Sequence, residues 1–156
     1  MIPNEAFAQA AEKYMDTVYR VAYSSLKNAD DANDVTQDVL LDLYRVNKAF
    51  ESEEHLKSWL IRATLNRCKM LFRSPWRRQD DTDDYAATLC FEDGDYLDLF
   101  RAVMALEQKY RVPLLLFYYE GYSTREVAAL LLLPEKTVST RLFRAKAKLR
   151  KFLEEE

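Results

Sequence analysis

Two helix starts stand close together near the C-terminus of this chain, and few folds accommodate both. Residues 110–152 read as helix, turn, helix, turn, helix. Gly121 ends the first of these, and Pro113 falls in its opening turn, where a missing N–H costs little. Ser123-Thr124-Arg125-Glu126 has the form of a capping box, with the Ser123 hydroxyl covering the end of a short helix over 124–131 and Glu126 reaching back. Pro134-Glu135 opens the next helix after only a few residues. A short helix followed so closely by a basic one is the helix-turn-helix arrangement.

The last helix has two unlike sides. At about 100° per residue, Val138, Leu142, Ala145 and Leu149 gather on one side, and Lys136, Ser139, Thr140, Phe143 and Arg144 on the other. The first set is a packing stripe. The second carries the chemistry that reads a DNA major groove: Arg144 and Lys136 reach phosphates or guanine, Ser139 and Thr140 bond to either, and Phe143 meets a thymine methyl. The plainer alternative is a charged surface helix with Phe143 tucked under a neighbour. Cap, turn and wheel agree on DNA.

Two glycines and four prolines in 156 residues leave little material for the turns of a sheet, so the fold class is all-α. Charge comes in blocks. Over 57–78 every charged side chain is basic, over 80–98 every one is acidic, and over 136–151 all are basic again. With Ser74-Pro75 and Gly94 as punctuation, this predicts two small helical domains, 1–76 and 100–156, joined by an acidic linker over 77–99. The linker reads as a solvated segment, with competition against DNA for the basic faces as the sharper alternative. The net charge of −3 is therefore a poor guide to partners, because the distribution hides two basic segments.

In the first domain, helical spacing over 5–26 brings Phe7, Ala11, Met15, Val18, Val21 and Ala22 together, and Asn28 offers a stop or a cap. A second helix over 30–44 buries Ala32, Val35, Val39 and Leu43, and its opposite face displays Asp34, Gln37, Asp38, Leu41 and Tyr44. Leu41 and Tyr44 among acids mark either a partner surface or packing on a neighbouring helix. A third helix over 55–72 packs Trp59, Leu60, Ala63 and Leu65 and turns basic residues outward beside Trp59, Phe72 and Trp76, the composition of a single-strand binding surface. Trp59 itself is better read as core.

Over about 7–153 the chain resembles the extracytoplasmic-function sigma factors, compact bacterial sigma factors with two conserved domains. Asp31-Ala-Asn-Asp34-Val-Thr-Gln37-Asp-Val looks like the helix that binds core RNA polymerase. Leu56-Lys-Ser-Trp59-Leu-Ile-Arg62-Ala-Thr-Leu-Asn66 looks like the promoter-melting helix. Tyr118-Tyr-Glu-Gly121-Tyr-Ser-Thr-Arg-Glu-Val-Ala, then Pro134-Glu-Lys-Thr-Val138-Ser-Thr-Arg141-Leu-Phe-Arg144-Ala, looks like the reader of the upstream promoter element. The resemblance implies that Asp34, Gln37, Asp38 and Leu41 contact the clamp coiled coil of the polymerase. It implies that Asn66 and the 50–55 loop hold a base flipped from the melted strand of the downstream element, with Arg62, Arg67 and Lys69 on its backbone. Ser139, Thr140, Phe143 and Arg144 would read the upstream element in the major groove, with Arg141 on phosphate. An anti-sigma partner is implied as well. The chain departs from the family pattern at Leu132 and Lys136, where glycines are usual, and at Ser139, where a cation is common. Either the turn keeps its usual geometry and Leu132 takes a positive φ, at a cost on the order of 1 kcal/mol, or the turn is reshaped and the docking angle of the reading helix changes with it.

An enzyme is not expected: His55 is the sole histidine and has no paired nucleophile. Cys68 and Cys90 have no metal-ligand spacing and read as reduced thiols in a cytosol. The Asp80-Asp81-Thr82-Asp83-Asp84 cluster lacks the glycine and terminal glutamate of a calcium loop, so neither metal nor cofactor is expected. The longest apolar runs, such as 127–133, are far below the roughly 18 residues of a membrane span, which predicts a cytoplasmic chain. Two other functions compete. A stand-alone helix-turn-helix regulator would share the C-terminal half but has no use for a second basic helix and an acidic-apolar face. A protein that only sequesters polymerase would lack the face around Thr140 and Phe143.

Overall fold

A computed structural model describes residues 2–46, 48–72 and 97–154. Arg73, Trp76, Arg77, Arg78, the Asp80 to Asp84 cluster, Cys90 and all of the acidic linker up to residue 96 lie outside the described residues. Among those described there are seven α-helices and no strand. The chain divides into two compact units, Met1–Gln79 and Asp80–Glu156.

The first unit is built on α1 (Asn4–Leu26), which packs against both α2 (Ala29–Arg45) and α3 (Glu53–Phe72). Because it is covered from two sides, the end of α1 is buried at every position from Val21 to Leu26. Farther up the helix, Ala10 and Tyr14 are buried and Met15 is 46% exposed, so the stripe runs in a different phase from the one spacing predicts. The reason is Tyr14, whose ring packs while its hydroxyl stays hydrogen-bonded, a dual role that an apolar count passes over. Lys27 closes α1 in the left-handed conformation (φ 51) with its N–H on the Tyr23 carbonyl. Asn28 then caps α2, its side chain accepting from the Asp31 N–H at 2.9 Å. In α2 the buried residues are Ala32, Val35, Thr36, Val39 and Leu43, the expected stripe with one threonine added. In α3 they are Leu60, Ile61, Thr64 and Cys68, whereas Trp59, Ala63 and Leu65 are only half-buried. Thr36 and Thr64 enter these stripes because each hydroxyl donates to the carbonyl four residues back, at 2.7 Å, leaving a methyl to pack.

The second unit holds α4 (Leu97–Met104), α5 (Gln108–Leu114), α6 (Thr124–Leu131) and α7 (Glu135–Glu154). Residues 97–99, expected in the linker, form the first turn of α4. Helix α5 starts before Tyr110, which moves Pro113 from the opening turn into the helix interior. One residue after Leu114 the chain widens into a π-helical segment, Leu115–Tyr119, where the Glu120 N–H reaches the Leu115 carbonyl at 2.9 Å. Arg111 is 2% exposed, and its guanidinium donates to the Leu106 carbonyl at 2.7 Å, tying α5 to the turn behind α4.

The capping box forms as the sequence predicts. Ser123 Oγ accepts from the Glu126 N–H at 3.1 Å and Glu126 Oε1 accepts from the Ser123 N–H at 2.9 Å. Helix α6 ends on Leu132 at φ 56 and ψ 46, with its N–H on the Ala128 carbonyl. Leu132 thus does what a glycine does at such a cap and carries the strain predicted for it. Val138, Leu142 and Ala145 of α7 are buried, and α7 packs on α4, α5 and α6.

The Ser123 bonds hold the Glu126 carboxyl below its ordinary value of 4.5. A carboxyl depressed by folding stabilises the folded state above its unfolded pKa, and that stabilisation is lost as pH falls through the lower folded value. Thermal melts taken from neutral pH downward should therefore show Glu126→Gln less stable than the wild type near pH 7, with the difference shrinking below about 4.5. A difference that does not change with pH would remove the charged cap from this account.

Candidate functional site

The predicted site residues fall on three exposed helix surfaces. On α2, opposite the buried stripe, Asp34, Gln37, Asp38 and Leu41 are all exposed, Leu41 to 43%. Tyr44 leaves this group: it is half-buried, its ring edge-on to Phe7 with centroids 5.2 Å apart. The two readings of that face therefore divide by residue, with Tyr44 packing on α1 and Leu41 facing outward among acids.

On α3, Arg62, Asn66 and Lys69 are exposed. Spaced at i, i+4 and i+7, they share one face. Met70 lies beside them at 77% exposure, a site-face residue that the sequence reading did not name. Arg67, assigned to the same surface by resemblance, stands elsewhere. It lies about 140° around the helix from Arg62 and turns toward α2. There its Nε and Nη2 each donate to the Asp42 carboxylate at 2.9 Å, with Asp38 at 3.5 Å. Asp42 was also missed, although its spacing from Asp38 was a signal that one cation from another helix could serve both.

The start of α3 is held in two ways. Ser52 Oγ accepts from the His55 N–H at 3.1 Å, and His55 Nδ1 accepts from the Glu51 N–H at 3.1 Å; of the expected 50–55 loop, residues 53–55 belong to the first turn of α3, and 50–52 are fixed to that turn. Phe50 lies edge-on to His55 and Trp59, at 5.3 and 5.7 Å between centroids. On the other side Glu53 accepts from Tyr14 at 2.5 Å and pairs with Lys13 at 3.1 Å. Burial, and then the Glu53 carboxylate, push the Tyr14 hydroxyl up to about 12. The bonds from Tyr14 and Lys13 hold the Glu53 carboxyl down.

On α7, Lys136, Ser139, Thr140, Phe143 and Arg144 are exposed, Phe143 to 75%, and Arg141 is half-buried. An aromatic this open leaves most of its ring outside the packing of its own unit. Tyr118 and Tyr119, at 51% and 40%, add to the exposed aromatics, and Lys146 of α7 lies 5.1 Å from the Tyr118 ring. The described residues contain no cluster of three or more His, Cys, Asp or Glu side chains placed to hold a metal ion, and no helix among them is long and apolar enough to cross a membrane.

Comparison with known proteins follows the same division. Residues 10–78 match Sigma-70 region 2, and residues 96–149 match Sigma-70, region 4. The RNA polymerase sigma-H factor of Pseudomonas aeruginosa is 25% identical over 96% of this chain and 86% of its own length. The ECF RNA polymerase sigma factor SigM of Mycobacterium tuberculosis is 28% identical over 95% of this chain and 77% of its own. Among solved structures, CnrH in complex with the cytosolic domain of CnrY superimposes with a TM-score of 0.70 at 28% identity, covering 99% of this chain and 91% of that one. The sigma factor RpoE in complex with the anti-sigma factor NepR, from Bartonella quintana, shares the fold at 21% identity with a TM-score of 0.73, covering 96% and 98%. This chain belongs to the extracytoplasmic-function group of the sigma-70 family.

The Arg67–Asp42 contact is bidentate but more than a third exposed, so its contribution belongs at the upper end of surface pairs. A double-mutant cycle with Arg67→Ala and Asp42→Ala, read by urea unfolding, should give a coupling of about 0.5–1 kcal/mol. Additive single effects would show that the pair does not help hold α3 on α2.

Proposed function

We propose that this sigma factor binds core RNA polymerase through the exposed face of α2, reads the upstream promoter element with α7, and traps the melted downstream strand on α3. In this reading Asp34, Gln37, Asp38 and Leu41 meet the polymerase clamp, which accounts for a leucine exposed among acids. Arg62 and Lys69 follow the strand backbone and Asn66 bonds to a base edge, beside the anchored residues 50–55. Arg67 is a positioning residue: its guanidinium is committed to Asp42, so it sets α3 against α2 rather than reaching for phosphate. Lys136, Arg141 and Arg144 engage the upstream duplex, with Ser139, Thr140 and Phe143 toward the base edges. The chain performs no chemistry itself and acts in the cytoplasm with the polymerase, and an anti-sigma protein holds it inactive, as the partners of RpoE and CnrH suggest.

The observation that carries this reading is the outward face of α7, where Phe143 stands 75% exposed between cations while Val138, Leu142 and Ala145 on the reverse are buried. A stand-alone helix-turn-helix regulator would share that face. It leaves unexplained a first unit that matches Sigma-70 region 2 over residues 10–78.

Run-off transcription from fragmented host DNA by core polymerase, with and without this chain, should yield new starts that share a spaced pair of upstream motifs. Asp38→Arg should abolish polymerase binding and those starts while the helical content stays that of the wild type; because it also breaks the 3.5 Å contact to Arg67, a loss of unfolding free energy up to about 1 kcal/mol is expected with it. New starts with no common motif, or full polymerase binding by Asp38→Arg, would contradict the assignment.

A further inference from the structure

Helix α7 shares a groove with the first turn of α5. The groove measures about 470 Å³, and its lining includes Lys136, Thr140, Arg141 and Arg144 from α7 with Lys109 and Tyr110 from α5. Four of these side chains are cations, and the lining holds no carboxylate. On the α7 wheel Thr140, Arg141 and Arg144 fall on one flank, and Ser139 and Phe143 fall on the other, with Lys136 at the outer edge. The outward surface of α7 is thus two surfaces, one cationic and walled by α5, the other aromatic and open.

Lys109 is the cation that the helix-turn-helix itself does not supply. Its ammonium is 3.8 Å from the Glu107 carboxylate, a loose pair with both side chains about half exposed or more, at 47% and 67%. It also lies 5.2 Å from the Tyr110 ring centroid, and Lys148 of α7 lies 5.6 Å from the same ring. Tyr110 is 5% exposed, so this ring is a fixed post that holds Lys109 at the groove wall, while Lys148 approaches it from outside the groove lining. Like charges collected along one groove repel, and an anion seated between them relieves the repulsion.

We infer that this groove seats the phosphodiester backbone of one strand of the upstream duplex, clamped between Lys109 of α5 and Arg141 and Arg144 of α7. The inference rests on the sigma-factor reading and deepens it. It makes Lys109 a DNA-positioning residue and settles Arg144 on phosphate in place of guanine. Base reading then falls to the Ser139 and Phe143 flank.

The test uses holoenzyme assembled from the full chain and core polymerase, titrated against a labelled duplex carrying the upstream element of a mapped promoter over a series of salt concentrations. Counterion release predicts that Lys109→Gln makes the slope of log affinity against log salt shallower by about 0.9, and that affinity near 0.1 M salt falls roughly eightfold. The loss should be the same on every single-base variant of the duplex, and Lys109→Arg should restore the slope. An unchanged slope in Lys109→Gln, or a loss confined to one base position, overturns the inference. Failure of the chain to direct initiation would instead overturn the sigma-factor reading. In that event the slope of the full chain alone on a random duplex still decides for or against the phosphate contact.

Discussion

The orientation of α7 depends on one constraint, the short connection that leaves α6 through a left-handed residue and re-enters helix at Glu135. With so few residues between them, the two helices have little freedom of crossing angle, and burying Val138, Leu142 and Ala145 fixes the rotation of α7 about its own axis. Everything exposed on that helix follows from this. Leu132 accepts φ 56 with its side chain 75% exposed, so the turn keeps its geometry without the residue that adopts it most easily. The Ser123 and Glu126 box fixes the other end of α6, and a helix pinned at both ends is a firm platform for the one that follows.

The first unit uses a similar logic with different means. There α1 is the common support, and α2 and α3 each bury one stripe against it and present the other. The outward stripe of α2 is acidic and that of α3 is basic, so the two would attract along their whole length. Arg67 with Asp42 and Asp38 takes up that attraction at one place, which leaves Arg62, Asn66 and Lys69 exposed. An exposed acidic-apolar surface and an exposed basic one can then stand on neighbouring helices.

Much of this was legible in the sequence because helix ends are written locally. The capping box, Gly121 and the start after Pro134 came from residues close in sequence, and each is found; of the two outcomes that the resemblance left open at Leu132, the positive φ is the one adopted. The stripe of α2 was read correctly because only aliphatic residues and one threonine face inward. Periodicity failed where the buried residue is amphipathic or small: Tyr14 displaced Met15 in α1, and Thr64 and Cys68 completed the α3 stripe. The start of α5 was misjudged because Pro113, normally a sign of a first turn, lies here in the helix interior. Arg67 could be assigned to α2 only once Asp42 was known to lie across from it, and Lys109 lies outside the motif that drew attention to α7. Contacts between helices distant in sequence leave at most a faint local mark, such as the i, i+4 pair Asp38 and Asp42.

If the outward faces of α7 and α3 act as proposed, duplex recognition and strand capture are separable tasks. The most direct measurement is a combined footprint of holoenzyme on one promoter, with nuclease protection for the upstream duplex and permanganate reactivity for melted thymines. The account predicts that Phe143→Ala weakens upstream protection, and that Asn66→Ala keeps that protection but loses the reactive thymines. Loss of upstream protection in Asn66→Ala, or unaltered footprints in both variants, would contradict it.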